Sequence, residues 1–569
     1  MLILGIWDGH DAGAALVEDG KIKIAVNEER LSRKKLDIGF PVKSIKCCLD
    51  NLGLKPSDVD LVACVGTQLS RVLARQFSFL DESFYLFRRR KIPKPCFERE
   101  RRLLKYWLAR YRTSWLRRLT EHQLRKKLKR LGFRDVKLRI VEHHSAHAAA
   151  AIFTSGFPRS LCITLDGVGD GLSGTITVYE NGEMKRIAEI PERDSIGLFF
   201  EQVTTLLGFR ELEDEGKVMA LADFAYPYPK EKNPFFDFFS VDGMSIKARH
   251  GTMRRFLELE KLIWKLPRET AAYFAQQTLE EYVVKLFANA IAELGICDVC
   301  WSGGVAANIK LNRRIRLDSG LKNWFVFPHM GDGGLALGAA LYLAYEELGI
   351  LPKKLEDVYL GVEFSEDSIE AELKQWQGQV SWERVSDPAK YAADLLNEGN
   401  YVFWFQGRME YGPRALGNRS ILAPPDSLEV KEKLNLAVKR REWFQPFCPT
   451  ILEEDAARLI EDYTANPPDR FMTMGYIAKK EHRQKLAAVI HVDGSLRPQI
   501  LGEENKLYRK LISEFKKRSG LGVVLNTSFN VHGEPIVASP KDAIETMLKT
   551  GTEHMFLGNF YVTLGGRKG

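Results

Sequence analysis

Twice in this chain an apolar run of strand length ends on Asp-Gly and is followed by two more strand-like runs joined at a glycine hairpin. The first copy opens with Leu2-Ile3-Leu4-Gly5-Ile6-Trp7 and Asp8-Gly9, continues through 14–17, turns at Glu18-Asp19-Gly20 and ends in 22–26. The second runs through 162–165, Asp166-Gly167, 175–179, Glu180-Asn181-Gly182 and 184–190. Asp-Gly and Asn-Gly turns need positive φ, and their recurrence at the same place predicts the same hairpin twice. Two such units predict an internally duplicated α/β domain with its ligand site in the cleft between the halves.

This is the pattern of the large α/β class that includes sugar kinases, actin and heat-shock ATPases. Two glycine-rich turns fit it, Ser302-Gly303-Gly304-Val305-Ala306-Ala307-Asn308 and Gly331-Asp332-Gly333-Gly334, each followed by a helical run. Glycine lets a backbone come close to phosphate or nucleotide, and an ordinary tight strand-to-helix connection uses the same residue.

Between the two copies a strand over Lys137–Val141 runs into Glu142-His143-His144-Ser145-Ala146-His147 and four more alanines. Alanine is the best helix former, so the histidines are expected on the first turns of a helix. His143 and His147 are four apart and share a face, which lets both imidazoles reach one metal ion while His144 points elsewhere. Taken alone, such a pair is more often met among surface or core histidines. Asp166 and Asp332, in turns at strand ends, complete a mixed nitrogen and oxygen set suited to iron, manganese or zinc.

A chain of 569 residues is too long for one compact core. Its pattern changes after 348, where Leu351-Pro352-Lys353-Lys354 breaks a helix, so two domains are expected, 1–360 and 361–569. Hydrophobic residues at 45% and charged residues at 28% describe an ordinary globular protein, and a net charge of +8 is too small to point to nucleic acid by itself. The N-terminus reads as a strand with no basic leader, and no run approaches the roughly 20 apolar residues of a bilayer span. The eight cysteines then read as reduced core residues, the lone Cys297-x-x-Cys300 included. A cytoplasmic protein with no membrane partner is expected.

From Arg88 to Arg134 the chain is crowded with Arg88-Arg89-Arg90-Lys91, Arg101-Arg102, Arg117-Arg118 and Arg125-Lys126-Lys127. Leu104, Trp107, Leu108, Tyr111, Trp115 and Leu119 recur among them at three and four, which predicts one or two amphipathic helices with a basic outer face. Such a face is a solvated surface or a dock for an anionic or polymeric acceptor.

The C-terminal portion holds three dense polar clusters. They are the run from Gln406 to Ser420 containing Gly412-Pro413-Arg414, the run Lys439-Arg440-Arg441-Glu442-Trp443-Phe444-Gln445-Pro446-Phe447, and Asn526-Thr527-Ser528-Phe529-Asn530 with Arg497 upstream. Arginines among glycines and asparagines beside short apolar strands suit triphosphate binding, because a planar guanidinium clamps phosphate oxygens bidentately.

These residues carry a resemblance. Asp8-x-His10-Asp11, Glu28-Glu29-Arg30, His143-His144-x-Ala146-His147, Glu215-Gly216-Lys217, Gly412-Pro413-Arg414-Ala415-Leu416-Gly417-Asn418-Arg419-Ser420 and Asn526-Thr527-Ser528-Phe529-Asn530 resemble the O-carbamoyltransferases of the tobramycin, cephalosporin and Nod-factor type. The resemblance spans nearly the whole chain, the stretch from Arg88 to Arg134 least of all. It implies an actin/sugar-kinase-like N-terminal domain similar to the threonylcarbamoyl-tRNA transferase subunit, and an α+β C-terminal domain of YrdC type. It also implies that the C-terminal domain makes carbamoyl adenylate from carbamoyl phosphate and ATP with magnesium. The N-terminal domain would then pass the carbamoyl group to a hydroxyl of a small-molecule or glycan acceptor, assisted by a metal, usually ferrous iron.

By position His143, His147, Asp166 and Asp332 match the metal ligands. Arg414, Lys439, Arg497 and Asn526, with Arg441 and Ser528 from the same clusters, match the ATP and carbamoyl phosphate site. Gly167, Gly303, Gly304 and Asn308 are assigned to the adenylate at the transfer site, which Asp8 and His10 line. Gln445 stands where the family has arginine, and Leu36 where it has histidine. His10 is the candidate base for the acceptor hydroxyl, with Asp8 or Asp11 to orient it. Two rivals are a carbamoyl-type transferase acting on tRNA and a non-catalytic nucleotide-binding scaffold. Nucleic acid is the less favoured partner, and a homodimer is the assembly considered.

Overall fold

A computed structural model describes residues 1–91, 97–109, 111, 114–464 and 468–565. The chain forms two compact units, Met1–Glu28 with Leu36–Leu355, and Glu29–Lys35 with Glu356–Gly569. The short segment counts with the second unit for a physical reason: Arg30 Nη2 donates to the Gly412 carbonyl at 2.6 Å, and Arg33 donates to the carbonyls of Pro535 and Ile536.

The first unit holds two five-stranded sheets built to one plan. One comprises β1 (Leu2–Trp7), β2 (Gly13–Glu18), β3 (Lys21–Asn27), β4 (Leu61–Val65) and β5 (Lys137–Val141), in the order β3-β2-β1-β4-β5. β1 is apolar and buried along its whole length, as a central strand covered on both faces must be. Between β4 and β5 lie α1 (Leu69–Gln76), α2 (Phe79–Arg88), α3 (Glu98–Ala109) and α4 (Arg117–Arg130). After β5 comes α5 (His143–Ser155).

The second sheet comprises β6 (Ser160–Gly169), β7 (Leu172–Glu180) and β8 (Glu183–Pro191), followed, beyond α6 (Ile196–Leu206) and a hairpin of β9 (Phe239–Asp242) and β10 (Ser245–Ala248), by β11 (Asp298–Ser302) and β12 (Asn323–Val326). Its order is β12-β11-β6-β7-β8, and α7 (Leu335–Leu348) follows β12. In both sheets the first three strands pair antiparallel and the first, fourth and fifth pair parallel. The duplicated α/β fold is therefore explicit in strand order. The two hairpins turn where the sequence places them, with φ of +46 and +75° at Asp19-Gly20 and +55 and +80° at Asn181-Gly182.

α7 lies against β1 and α5 at backbone distance. A Cβ on Gly5 would fall 1.9 Å from the Ala336 carbonyl oxygen, and one on Gly338 would fall 2.1 Å from that of Ala146. The alanine run of α5 thus serves close helix packing as well as propensity. All seven alanine, isoleucine and phenylalanine positions from Ala146 to Phe153, His147 apart, are buried.

Within the stretch 88–134, residues 92–96, 110, 112 and 113 lie outside the described residues; α4 has the expected basic outer face, with Arg117, Arg118, Arg125 and Lys126 exposed and Leu124 and Leu128 buried, and α3 departs from it. The expected basic outer face is not what α3 presents. Arg102 Nη1 reaches Glu211 at 2.5 Å and Lys105 Nζ reaches Glu201, on α6, at 2.9 Å, so the charged side of the helix turns inward while Leu104 and Trp107 face out.

The second unit is built on an eight-stranded mixed sheet ordered β13-β22-β21-β14-β15-β20-β16-β19. Its strands are β13 (Val380–Arg384), β14 (Val402–Phe405), β15 (Arg419–Ala423), β16 (Cys448–Leu452), β19 (Gln499–Leu501), β20 (Val523–Ser528), β21 (Met555–Leu557) and β22 (Phe560–Leu564), and β17 (Tyr476–Ile477) pairs β18 (Ser495–Leu496) beside it. Trp404, Leu422, Val524, Tyr508 and Phe556 form its core. Arg419 is fully buried, lies 3.6 Å from the Phe405 ring centroid and donates to the carbonyls of Gln406, Gly407 and Asn418. This arginine of the Gly412–Ser420 motif holds the chain rather than a ligand.

Candidate metal centre and anion site

Four residues meet in the first unit as their spacing predicts. Glu142 caps α5 by accepting from the His144 and Ser145 amides, which starts the helix where His143 and His147 share a face. Asp166 comes from β6 and Asp332 from the turn leading into α7. His143 Nε2 lies 3.1 Å from Asp166 Oδ2 and 3.5 Å from Asp332 Oδ1, and His147 Nε2 lies 3.5 and 3.6 Å from the same two atoms. One ligand atom from each residue lies within 4.8 Å of all the others. His144 turns away, to Thr164 Oγ1 at 2.9 Å and the Leu172 carbonyl at 3.2 Å.

The set fits a cation. His147 Nε2 is buried and has no hydrogen-bond partner, while its Nδ1 is held by Ser302 Oγ at 3.4 Å. Two carboxylates, Asp332 buried and Asp166 half-buried, face the same space and compete. Burial and then the Asp166 charge push the Asp332 carboxyl well up, while the His143 and His147 rings beside it overcome burial and hold Asp166 well down. Two nitrogens and two carboxylate oxygens suit a borderline divalent metal.

Of the other expected residues, Gly167 and Gly304 direct backbone N–H groups at Asp166 Oδ1, at 2.7 and 3.3 Å. Gly303, at φ +98°, lies so close to β6 that a Cβ would fall 2.1 Å from the Leu165 carbonyl oxygen. Asn308 is instead a helix cap: it accepts from the Leu311 amide at 3.0 Å and exchanges hydrogen bonds with Gln276, which occupies its amide. His10 faces the centre, with Nδ1 3.5 Å from Asp332 Oδ2, and burial pushes its pKa down to about 3. The group that orients it is Asp332. Asp8 cannot, because Arg75 Nε and Nη2 take both its oxygens at 2.7 and 2.9 Å and Arg71 lies beside them. Asp11 turns toward His329, 3.9 Å away.

Sequence reasoning missed Ser302, which immediately precedes Gly303, and Asp170, whose Oδ2 accepts the His143 amide at 3.1 Å. Asp170 stands in the same Asp166-Gly-Val-Gly-Asp turn, so its signal was adjacent.

In the second unit the three polar clusters bring their cations together. Arg497 donates through Nε and Nη2 to Cys448 Sγ at 3.3 and 3.0 Å. Arg414 is lowered to about 9 by burial and by Arg497, and Arg441 to about 10 by burial, with Cys448 and Arg497 beside it. Arg441 also lies 3.9 Å from the Phe447 ring centroid. Lys439 Nζ donates to the Ser528 carbonyl, to Ser528 Oγ at 3.2 Å and to Asn530 Oδ1 at 2.8 Å, and burial pushes its pKa well down. Asn526 Nδ2 donates to Thr450 Oγ1 at 3.1 Å and its buried Oδ1 has no partner. Cys448, at the centre of the arginines, carried no distinguishing sequence signal.

The fold and the two clusters define a two-unit α/β protein, and comparison names its family. A model of the carbamoyltransferase N-terminus matches residues 2–341 and one of the carbamoyltransferase C-terminus matches 393–563. The chain belongs to the carbamoyltransferase family. It is 35% identical to nodulation protein NolNO of Sinorhizobium fredii over 97% of this chain and 79% of that one. It is 33% identical to protein MJ1051 of Methanocaldococcus jannaschii over 99% of each, and 37% identical to nodulation protein NolO of Bradyrhizobium diazoefficiens over 74% of this chain and 78% of that one. Among solved structures, component A of the Acidaminococcus fermentans (R)-2-hydroxyglutaryl-CoA dehydratase aligns with 61% of this chain and 98% of its own, at 16% identity and a TM-score of 0.33.

Proposed function

We propose that this carbamoyltransferase is ATP-dependent and modifies a hydroxyl, with one half-reaction in each unit. In the second unit carbamoyl phosphate loses phosphate to water. The resulting carbamate oxygen attacks the α-phosphorus of magnesium-bound ATP, and pyrophosphate leaves. In the first unit the acceptor hydroxyl attacks the carbamoyl carbon of the adenylate, and AMP leaves. The acceptor is a small hydroxylated molecule or glycan.

The observation that carries the reading is the gathering of Arg414, Arg441 and Arg497 on Cys448, where the charged neighbours acting on Arg414 and Arg441 include no carboxylate. Half-buried cations without counter-charge favour a polyanion that supplies it. Lys439, buried beside them, holds Ser528 and Asn530 in place through its Nζ.

In the first unit His143, His147, Asp166 and Asp332 would hold a divalent metal, ferrous iron by preference with manganese or zinc as substitutes, and it would supply Lewis-acid polarisation. His10 presents Nδ1 to Asp332, so Nε2 is left to take the hydroxyl proton. The Gly167 and Gly304 amides fix Asp166 in place.

Arg414→Ala tests the reading by carbamoyl phosphate-dependent pyrophosphate release. The expected result is a loss of about 100-fold or more, as for removal of a positioned charge. A wild-type rate in the folded variant removes the adenylation site from this cluster.

A further inference from the structure

Glu410 stands at the head of the run that carries Arg414 and is 2% exposed. Its Oε1 accepts three backbone N–H groups of that run, from Leu416 at 2.9 Å, Asn418 at 2.8 Å and Arg419 at 3.1 Å. The Gly417 amide between them donates to Ser420 Oγ at 3.0 Å. Four successive amides of a glycine-rich loop are thereby used inside the protein. Such loops commonly offer their amides to phosphate oxygens, and this one has already spent these. An anion that meets the loop meets the Arg414 side chain.

The carbonyls of the loop are tied as well. Arg30 Nη2 donates to that of Gly412 at 2.6 Å, Asn526 Nδ2 to that of Ala415 at 3.2 Å, and Tyr359 Oη and Gln499 Nε2 to that of Leu416 at 2.8 and 3.0 Å. Gly417, at φ +107°, lies against Tyr508, where a Cβ would fall 2.2 Å from the ring. A loop held at both its amides and its carbonyls keeps one path, and half-buried Arg414 is set by that path. The charge of Glu410 is directed elsewhere. It acts on the buried Arg419, whereas the groups that act on Arg414 are Arg497 and Cys448.

We propose that Glu410 is a positioning residue of the anion site: its Oε1 folds the loop that presents Arg414 to phosphate, and it acts through reach, not charge. The proposal rests on the assignment of Arg414 to the phosphates of ATP or carbamoyl phosphate. It goes further in saying how the loop recognises them, by one planar guanidinium on a fixed backbone and not by a cradle of amides. Glutamine keeps the length and the oxygen that the three amides need, but not the charge. Aspartate keeps the charge and stops one methylene short. The two substitutions therefore separate reach from charge.

The test is carbamoyl phosphate-dependent pyrophosphate release by the full chain, with each variant assayed below its melting temperature. Glu410→Gln is expected to keep kcat/KM within about threefold of wild type, since a neutral oxygen still accepts the three amides. Glu410→Asp is expected to lose about tenfold or more, because a group misplaced by about 1 Å can cost about 100-fold. The Glu410→Asp/Arg414→Ala double variant should match Arg414→Ala within about twofold, since the carboxylate acts only through that arginine. Wild-type kcat/KM in Glu410→Asp, or additive losses in the double variant, overturns the proposal. A loss of about tenfold in Glu410→Gln overturns it even where Glu410→Asp does not fold. A wild-type rate in Arg414→Ala instead removes the adenylation reading on which the proposal rests, whereas a loss there with none in Glu410→Asp removes the proposal alone.

Discussion

A single methyl group placed behind His143 provides a stringent test of the candidate metal centre. Gly169 ends β6, and a Cβ there would lie 2.1 Å from both Cγ and Cδ2 of the His143 ring and 2.6 Å from Nε2. Ordinary carbon contacts begin at about 3.5 Å, so Gly169→Ala must push the imidazole back by more than about 1 Å. The ring has little freedom to swing, with Trp7, His144 and His147 packed at centroid distances of 5.7, 5.3 and 4.8 Å. Metal ligand distances are held to about 0.2 Å, so such a shift removes one ligand of four. Loss of an outer-sphere partner alone costs about 10- to 100-fold in metal affinity, and displacing the ligand itself is expected to cost at least about 100-fold, or about 2.7 kcal/mol. Overpacking costs the fold about 1–3 kcal/mol, which a chain of this size tolerates. The assay is anaerobic titration with Mn²⁺ or Co²⁺ of wild type, Gly169→Ala, His143→Ala and the double variant. If the methyl acts through the ring, it adds less than about 0.5 kcal/mol once the ring is gone. Wild-type affinity in Gly169→Ala, or full additivity in the double variant, would refute the reasoning.

Burial and the charges of Glu201 and Asp214 raise the Glu215 carboxyl from 4.5 to about 8. Its contribution to stability is present below about pH 4.5 and lost as pH rises through about 8, at no more than about 1.4 kcal/mol per unit. Urea denaturation between pH 5 and 8 should therefore fall more steeply for wild type than for Glu215→Gln, and parallel curves would dismiss the idea. Gln445, whose Oε1 is buried without a partner, lies three residues before Cys448, the β16 residue on which the arginines gather; Gln445→Arg should lower the Michaelis constant for ATP or carbamoyl phosphate about tenfold, since charge-assisted hydrogen bonds exceed neutral ones by about 1–2 kcal/mol. Unchanged constants for both substrates would take that position away from phosphate. Asp8→Asn should cost about 3–5 kcal/mol of stability by stranding Arg75, yet leave metal stoichiometry intact in the folded protein. Full stability with metal lost would return Asp8 to the centre.

What the sequence made legible was periodic or local. The two hairpin turns, the shared face of His143 and His147, and the strand-end aspartates all follow from spacings shorter than one element. The misreadings were long-range. Arg75 claims Asp8 from 67 residues away, and Asn308 is claimed by Gln276 from a neighbouring helix, so neither side chain is free for the role its motif suggested. In α3 a spacing of three and four identifies a helix but not which side faces inward. Glu201 and Glu211, about a hundred residues downstream, decide that by drawing Lys105 and Arg102 into the protein. The basic clusters of the second unit were visible as composition, but their convergence on Cys448 depends on β16 lying beside β19 and β20.

The duplication also explains why the candidate metal centre is built from the residues it has. Each half offers two equivalent places, the turn after its first strand and the start of the helix after its fifth. In the second half these carry Asp166, from β6, and Asp332, before α7. In the first half they carry Asp8, after β1, and His143 with His147 on α5. The helices α5 and α7 meet at Ala146 and Gly338, so their two starts are brought together along with the strand ends. Three of the four places supply the cluster. The fourth would add another carboxylate to two that already compete for one space, a cost that rises steeply in a buried site. Arg75 and Arg71 neutralise Asp8 instead, and His10, two residues on, turns its ring to Asp332. A symmetric scaffold has thus become an asymmetric site, with candidate ligands on three corners and the candidate base at the fourth.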